Sequence, residues 1–241
     1  TLVGWCSGCN FRLAKKDLLV VFLLSLLRAT TSFSLLIAYQ NIATGVASTI
    51  HFMYPLAVSL AMMFVFWAKN LVMLAVLMSL FGAALLSSGE LEAKSGDTIV
   101  GLVAACISVF SYGGYIIGVR TARAAQINST VLTCYVMGMG AVFYLIGAMA
   151  TFGLHLVTDG YIWLIILGLA LPATAISNIT LVRAIKYAGP TLTSILGAME
   201  PLTAVVIGVF VFKELFTLNS VIGILLILLA VGMVVFRKQK S

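Results

Sequence analysis

Charge is what this 241-residue sequence has least of: only 9% of its residues are Asp, Glu, Lys or Arg. A water-soluble domain carries roughly a quarter charged residues to cover its surface, so the shortage excludes an ordinary soluble globule. Hydrophobic residues make up 62% of the chain, and mean hydropathy is +1.18. Most of the surface must therefore face lipid.

Cysteine is scarce as well, at four residues. Cys6 and Cys9 form a CxxC pair, which supplies only two of the four ligands of a structural zinc. Cys106 and Cys134 lie inside apolar stretches, and no second CxxC or paired histidine exists. Reduced cysteines, with no metal and no cofactor, are expected. HExxH, GxSxG and metal-suited acidic clusters are all missing, which weighs against a membrane-embedded enzyme. The net charge of +7 raises nucleic acid as a partner, but basic residues of a membrane protein gather in its cytoplasmic loops. The expected surroundings are a lipid bilayer, with no nucleic acid. No basic start precedes a short apolar run, so no signal peptide is expected. The chain opens on Thr1 rather than Met, which reads as a processed chain or a fragment lacking its natural start.

What is present is a series of long apolar runs. About 20 apolar residues span a bilayer core as a helix. Such runs fall at about 18–39, 43–67, 70–89, 98–119, 130–153, 161–182, 190–212 and 217–236, which predicts eight transmembrane helices. Short polar connections separate them. Of the 14 Lys and Arg residues, eleven fall on one side: Arg12, Lys15, Lys16, Lys69, Arg120, Arg123, Arg183, Lys186, Arg237, Lys238 and Lys240. Only Lys94 and Lys213 fall on the other, and Arg28 lies within a span. That bias places both ends of the chain in the cytoplasm.

Duplicated halves are common in membrane carriers. Shifting the chain by 146 residues brings Ala38 onto Ala184, Ser48 onto Ser194, Met53 onto Met199, Pro55 onto Pro201 and Leu56 onto Leu202. Phe64, Val65 and Phe66 fall on Phe210, Val211 and Phe212; after a four-residue slip, Gly82 falls on Gly232. Spans one to three thus match spans six to eight. The pattern predicts an all-α polytopic protein of inverted five-helix repeats, with eight helices present of an inferred ten. Residues 1–89 would be the remaining three helices of the first repeat, 98–236 the five of the second, and 237–241 a basic cytoplasmic tail.

The residues carrying this pattern resemble a known family. Ala184-Ile185-Lys186-Tyr187-Ala188-Gly189-Pro190, then Met199-Glu200-Pro201 and Lys213-Glu214, look like the second repeat of the EamA-type drug/metabolite transporters. Ala38 through Tyr54-Pro55 looks like the equivalent part of their first repeat. The resemblance implies ten spans, inverted repeats and a central cavity opened alternately to each side. The sequence departs from the pattern in lacking the first two helices. It also has Ala68-Lys69-Asn70 where the family often has a Gly-Glu pair.

A charge near the bilayer centre costs about 2.5–3.5 kcal/mol on insertion scales, so ionisable groups there are functional candidates. At 1.5 Å per residue, Arg28 lies roughly 16 Å from the helix end near Asp17, Glu200 roughly 15 Å from Pro190, and His51 about 12 Å from Ala43. All three reach the middle third of a core about 30 Å thick. Pro55 and Pro201 each remove a helix hydrogen bond, freeing the carbonyls of His51 and Gly197. Proline-interrupted helices at matching places in two halves point to a transporter site. The candidate substrate-binding residues are therefore Arg28, His51, Tyr54, Tyr112, Tyr115, Asn178 and Glu200. Glu200 is also the candidate coupling group, and Pro55 and Pro201 mark the helix interruptions.

Each has a plainer alternative. Arg28 and Glu200 could neutralise one another as a structural ion pair, and His51 could be satisfied by a neighbouring carbonyl. The tyrosines and Asn178 could be packing. Gly114-Tyr115-Ile116-Ile117-Gly118 is a helix-packing motif, while Trp67 and Trp163 suit the interfacial belt. Glu214 reads as structural.

With the resemblance, these residues imply a secondary transporter of a small organic metabolite (an amino acid, organic anion or drug-like solute), proton-coupled or exchanging, in a bacterial inner membrane. Other readings are a non-transporting membrane scaffold or a nucleotide-sugar type carrier. A homodimer stays open.

Overall fold

The computed structural model describes residues 11, 13–42, 44–66, 74, 77–78, 81, 96–120, 122–151, 159–197, 200, 203, 218, 221–226, 228–229 and 233. Every regular element among them is helical. In chain order these are α1 (Lys15–Asn41), α2 (Thr44–His51), α3 (Tyr54–Phe66), α4 (Thr98–Val119), α5 (Ala122–Gln126), α6 (Ser129–Thr151) and α7 (Gly160–Gly168). A π-helical segment (Leu169–Ile176), α8 (Ser177–Ala188) and α9 (Pro190–Gly197) follow. Among the described residues, three helical stretches are long and apolar enough to cross a membrane: Lys15–Asn41, Thr98–Val119 and Ser129–Gly147. Most of the predicted spans 70–89 and 190–212 and half of 217–236, together with Cys6, Cys9, Trp67, Pro201 and Glu214, lie outside the described residues.

Two predicted spans are not uniform α-helices. Residues 43–67 divide into α2 and α3 at a turn through Phe52 and Met53. The break lies just before Pro55, which has no N–H to return to the carbonyl four residues earlier. The neighbouring amides rearrange: Phe52 N–H bonds Ser48 O at 2.8 Å, Met53 N–H bonds Ile50 O at 2.9 Å, and Leu56 and Ala57 both reach Met53 O. Residues 161–182 are α7, the π segment and the start of α8, with Pro172 inside the π segment. A proline that cannot complete an α-helical bond is accommodated by the wider turn.

The helices are sorted for lipid. Along α1, Val21, Leu24, Ser25, Ala29, Thr31, Ser34 and Ala38 are buried, while Leu18, Leu19, Phe22, Leu23 and Leu26 are exposed. Along α4, Ala104, Ala105, Ser108, Ser111, Tyr112 and Tyr115 are buried, and Ile99, Val103, Ile107 and Phe110 are exposed. Lipid tails are as apolar as leucine, so large apolar residues gain little by turning inward, and small residues that permit close approach take the interfaces. Helix α7 has no buried residue at all.

The chain forms two compact units, Thr1–Ala29 with Gly118–Gly189, and Thr30–Ile117 with Pro190–Ser241. In the first, α6 packs on α8, and Phe22 meets Phe143 edge-on with ring centroids 5.7 Å apart. A Cβ on Gly118 would lie 2.7 Å from Leu24 Cδ2, so the predicted packing motif leaves room for that leucine. Asn128 caps α6 by accepting the Thr130 N–H at 2.9 Å, as N-cap residues do. The end of α8 is tied by Arg120 Nη1 donating to Lys186 O and by Lys186 Nζ donating to Ile127 O. The Arg123–Asp17 pair, at 3.8 Å and half exposed, adds little, as exposed pairs contribute about 0–1 kcal/mol.

In the second unit, Ala38, Ile42, Ala47, Ala104 and Ala105 form a small-residue core, with Tyr39, Val46 and Ile50 against it. Asp97 starts α4 by accepting from Ile99 N–H at 2.9 Å and Val100 N–H at 3.2 Å. Its own N–H bonds Asn41 Oδ1 at 3.0 Å. Helix α3 packs on α9.

Candidate functional site

The break before Pro55 positions the first group of candidate residues. His51 ends α2 and Tyr54 begins α3, so the turn between them brings the two rings to one place. Their centroids are 5.6 Å apart. Helix α4 brings Tyr112 to the same place, 5.4 Å from His51 and 4.7 Å from Tyr54 in an edge-on contact. One helical turn on, Tyr115 stacks on Tyr112 at 6.3 Å with the ring planes 12° apart. Tyr54, Tyr112 and Tyr115 are buried, and His51 is half-buried. Aromatic pairs favour these edge-on and offset arrangements, each worth about 0.5–1.5 kcal/mol beyond burial. Glu200 interacts electrostatically with Tyr54, and its residue is exposed.

Four of the seven candidates thus cluster within the second unit, and Glu200 of the same unit lies within electrostatic reach of Tyr54. Its α3 and α9 also hold two buried hydroxyls, Ser59 Oγ and Thr193 Oγ1, with no hydrogen-bond partner. Buried polar groups are ordinarily paired.

The other two candidates meet in the first unit. Arg28 Nη2 donates to Asn178 Oδ1 at 3.4 Å. Asn178 in turn donates from Nδ2 to Thr174 O at 2.7 Å, and Thr174 Oγ1 donates to Leu169 O at 3.0 Å. The arginine is therefore linked through one amide to a carbonyl of the π segment. Arg28 and Glu200 belong to different compact units. Pro55 is buried at the start of α3. Cys106 and Cys134 are free thiols.

The EamA-like transporter family matches residues 99–236, more than half of the sequence. The chain belongs to the EamA-like transporter family. It is a multi-pass membrane transporter of the drug/metabolite superfamily. No curated protein matches it. Among 22 matching solved chains, one crystal structure of a protein aligns over 100% of this chain and 84% of its own, with TM-score 0.83 and 17% identity. At that identity the likeness shows the fold.

Three features of this EamA-like chain were not among the sequence candidates. Ser108 is the hydrogen-bond partner of His51, at 3.0 Å; nothing in a serine amid an apolar run signals a partner 57 residues away. Gly197 lies under the Tyr54 hydroxyl; the sequence marks it through the carbonyl that Pro201 frees, not through a contact with Tyr54. The Pro172 π segment had a plainer signal, a proline inside a span, and π-helical turns recur at functional sites.

Proposed function

We propose that the protein is a secondary transporter that moves a small organic metabolite by alternating access, with the His51–Tyr54–Tyr112–Tyr115 cluster and Glu200 as part of its solute site. One observation carries this reading: a chain of a transporter family gathers a histidine and three tyrosines at a helix break, with a carboxylate in electrostatic reach of one of them. The rings offer apolar and π surface to an organic solute. Their polar tips, with His51 and Glu200, offer hydrogen bonds and charge. Interrupted helices are the places where transporter folds build such sites.

Glu200 is the coupling group in this scheme, a carboxyl able to carry a proton or a counter-charge as the site alternates between the two sides. Arg28, with one nitrogen on Asn178, serves an anionic group such as a carboxylate through charge-assisted bonds. Eight spans in inverted repeats, and both ends of this chain in the cytoplasm of a bacterial inner membrane, belong to the same proposal.

Thermal stabilisation of the purified protein against a metabolite panel tests the solute site. Stabilising hits should be lost in Tyr112→Ala, and anionic hits in Arg28→Ala. Hits that persist in both variants overturn the site assignment. For coupling, Glu200→Gln should abolish sensitivity of uptake to a pH gradient in proteoliposomes. Unchanged sensitivity removes Glu200 from that role.

A further inference from the structure

His51 and Ser108 make a hydrogen bond whose direction the surrounding geometry decides. The His51 Nδ1 to Ser108 Oγ distance is 3.0 Å, and on its own it allows either group to donate. Ser108 Oγ, however, also lies 2.6 Å from the carbonyl oxygen of Ala105. Two oxygens that close need a proton between them, and a carbonyl has none to give. A serine hydroxyl has one proton, and here it is committed to Ala105. Towards His51 the hydroxyl can therefore act only as acceptor, so Nδ1 carries a proton. In the neutral imidazole the other nitrogen, Nε2, is then the basic one.

We propose that Ser108 is a positioning residue that fixes His51 as its Nδ1–H tautomer, and that His51 takes up a proton at Nε2 as a second proton-carrying group of the transporter. The inference rests on reading the aromatic cluster as part of the transport site. Protonation forms one N–H bond at Nε2 and adds one positive charge. It leaves Nδ1–H on Ser108, and Ser108 on Ala105. The ring gains a proton without losing its anchor, so the two states differ at one atom. Whatever bond Nε2 makes to its surroundings reverses from accepting to donating.

His51 ends α2, and the rings of Tyr112 and Tyr54 have their centroids 5.4 and 5.6 Å away. Glu200 lies within electrostatic reach of Tyr54. Tyr115 lies beyond Tyr112, and Tyr39 of α1 is engaged with Ser48 at 3.2 Å. Asp97, at the start of α4, is about 16 Å of helix rise from Ser108. Residues 190–197 of α9 carry no titratable side chain.

The chain has only two histidines, His51 and His155, so the imidazole nitrogens can be followed directly. The whole protein, labelled with 15N-histidine and held in lipid nanodiscs, is studied by NMR from pH 8 to pH 5, with His155→Gln to assign the signals. Around the upper pH the His51 spectrum should show a protonated Nδ1 and a bare Nε2. On acidification Nε2 should gain its proton while Nδ1 keeps its own. Ser108→Ala should replace the single tautomer by a mixture, and Ser108→Thr, which keeps the hydroxyl, should restore it. An Nε2–H tautomer in the unmodified protein, or a ring that stays neutral across this range, overturns the proposal. So does a tautomer unaffected by Ser108→Ala. The measurement needs no solute: if the histidine behaves as described while Tyr112→Ala retains every solute hit, the transport-site reading has failed and the tautomer assignment has not.

Discussion

The hydroxyl of Tyr54 sits where a side chain on Gly197 would begin: a Cβ built there overlaps the hydroxyl and lies 3.1 Å from the ring carbon bearing it. Helices α3 and α9 therefore close on each other through a tyrosine and a glycine, and the orientation of Tyr54 depends on there being no side chain at 197. Gly197→Ala should push the ring away from Tyr112. Overpacking of this kind costs typically about 1–3 kcal/mol, visible as a lower melting temperature together with loss of solute-induced stabilisation. Adding Tyr54→Phe, which removes the overlapping oxygen, should recover part of the melting temperature. If the double variant melts no higher than Gly197→Ala alone, the contact does not set the packing.

Asn178 performs two jobs with one amide, accepting from Arg28 and donating to Thr174 O. Asn178→Ala removes both and leaves a charged group inside a span with one partner fewer. A loss of about 1–3 kcal/mol is expected from the unsatisfied groups. Asn178→Asp keeps an acceptor for Arg28 and adds a compensating charge, so it should melt above Asn178→Ala. Equal melting temperatures would show that Arg28 draws nothing from position 178.

Much of the helix layout was written in the run lengths, and little of the site chemistry was. The apolar run 98–119 coincides with α4, Thr98–Val119, because a helix in lipid has to keep its backbone bonds internal for the full crossing. Pro55 announced the break between α2 and α3, since a missing N–H is a local fact. Pro172 carries the same local signal inside the apolar run 161–182. The contacts that give the site its chemistry join residues far apart in sequence: His51 to Ser108, Tyr54 to Gly197, Arg28 to Asn178. In a membrane helix the large apolar residues face outward, so hydrophobic periodicity does not show which serine turns inward to a histidine.

The distribution of Lys and Arg makes the orientation testable without a solute. With the four native cysteines replaced by serine, single cysteines at Lys16, Arg123, Arg183 and Lys240 should react with a membrane-impermeant maleimide only from the cytoplasmic side. Those at Lys94 and Lys213 should react from outside. An eleven-to-two bias leaves little room for mixed topology. Labelling of Lys94→Cys and Arg123→Cys from the same side would break the eight-span count.

Lys186 gives a dependence of stability on pH whose sign can be worked out. It lies near the end of α8, beyond the predicted span, and burial holds its ammonium below the usual value of 10.5. Below the lowered folded value the side chain is charged in both folded and unfolded states, and the cost of burying that charge is fully present. As pH rises from the lowered value towards 10.5, the folded protein releases the proton first. The unfolded state then holds more protons, so stability rises with pH across that window. Lys186 Nζ also donates to Ile127 O, a bond stronger from the ammonium than from the amine, so it reduces the slope without reversing the lowering that burial leaves. Lys186→Met loses the bond and the titration together. The comparison is therefore between slopes of melting temperature against pH, from neutral to about 10.5: the native protein should rise relative to Lys186→Met. Parallel slopes would mean that the ammonium is as well solvated in the folded chain as in the unfolded one.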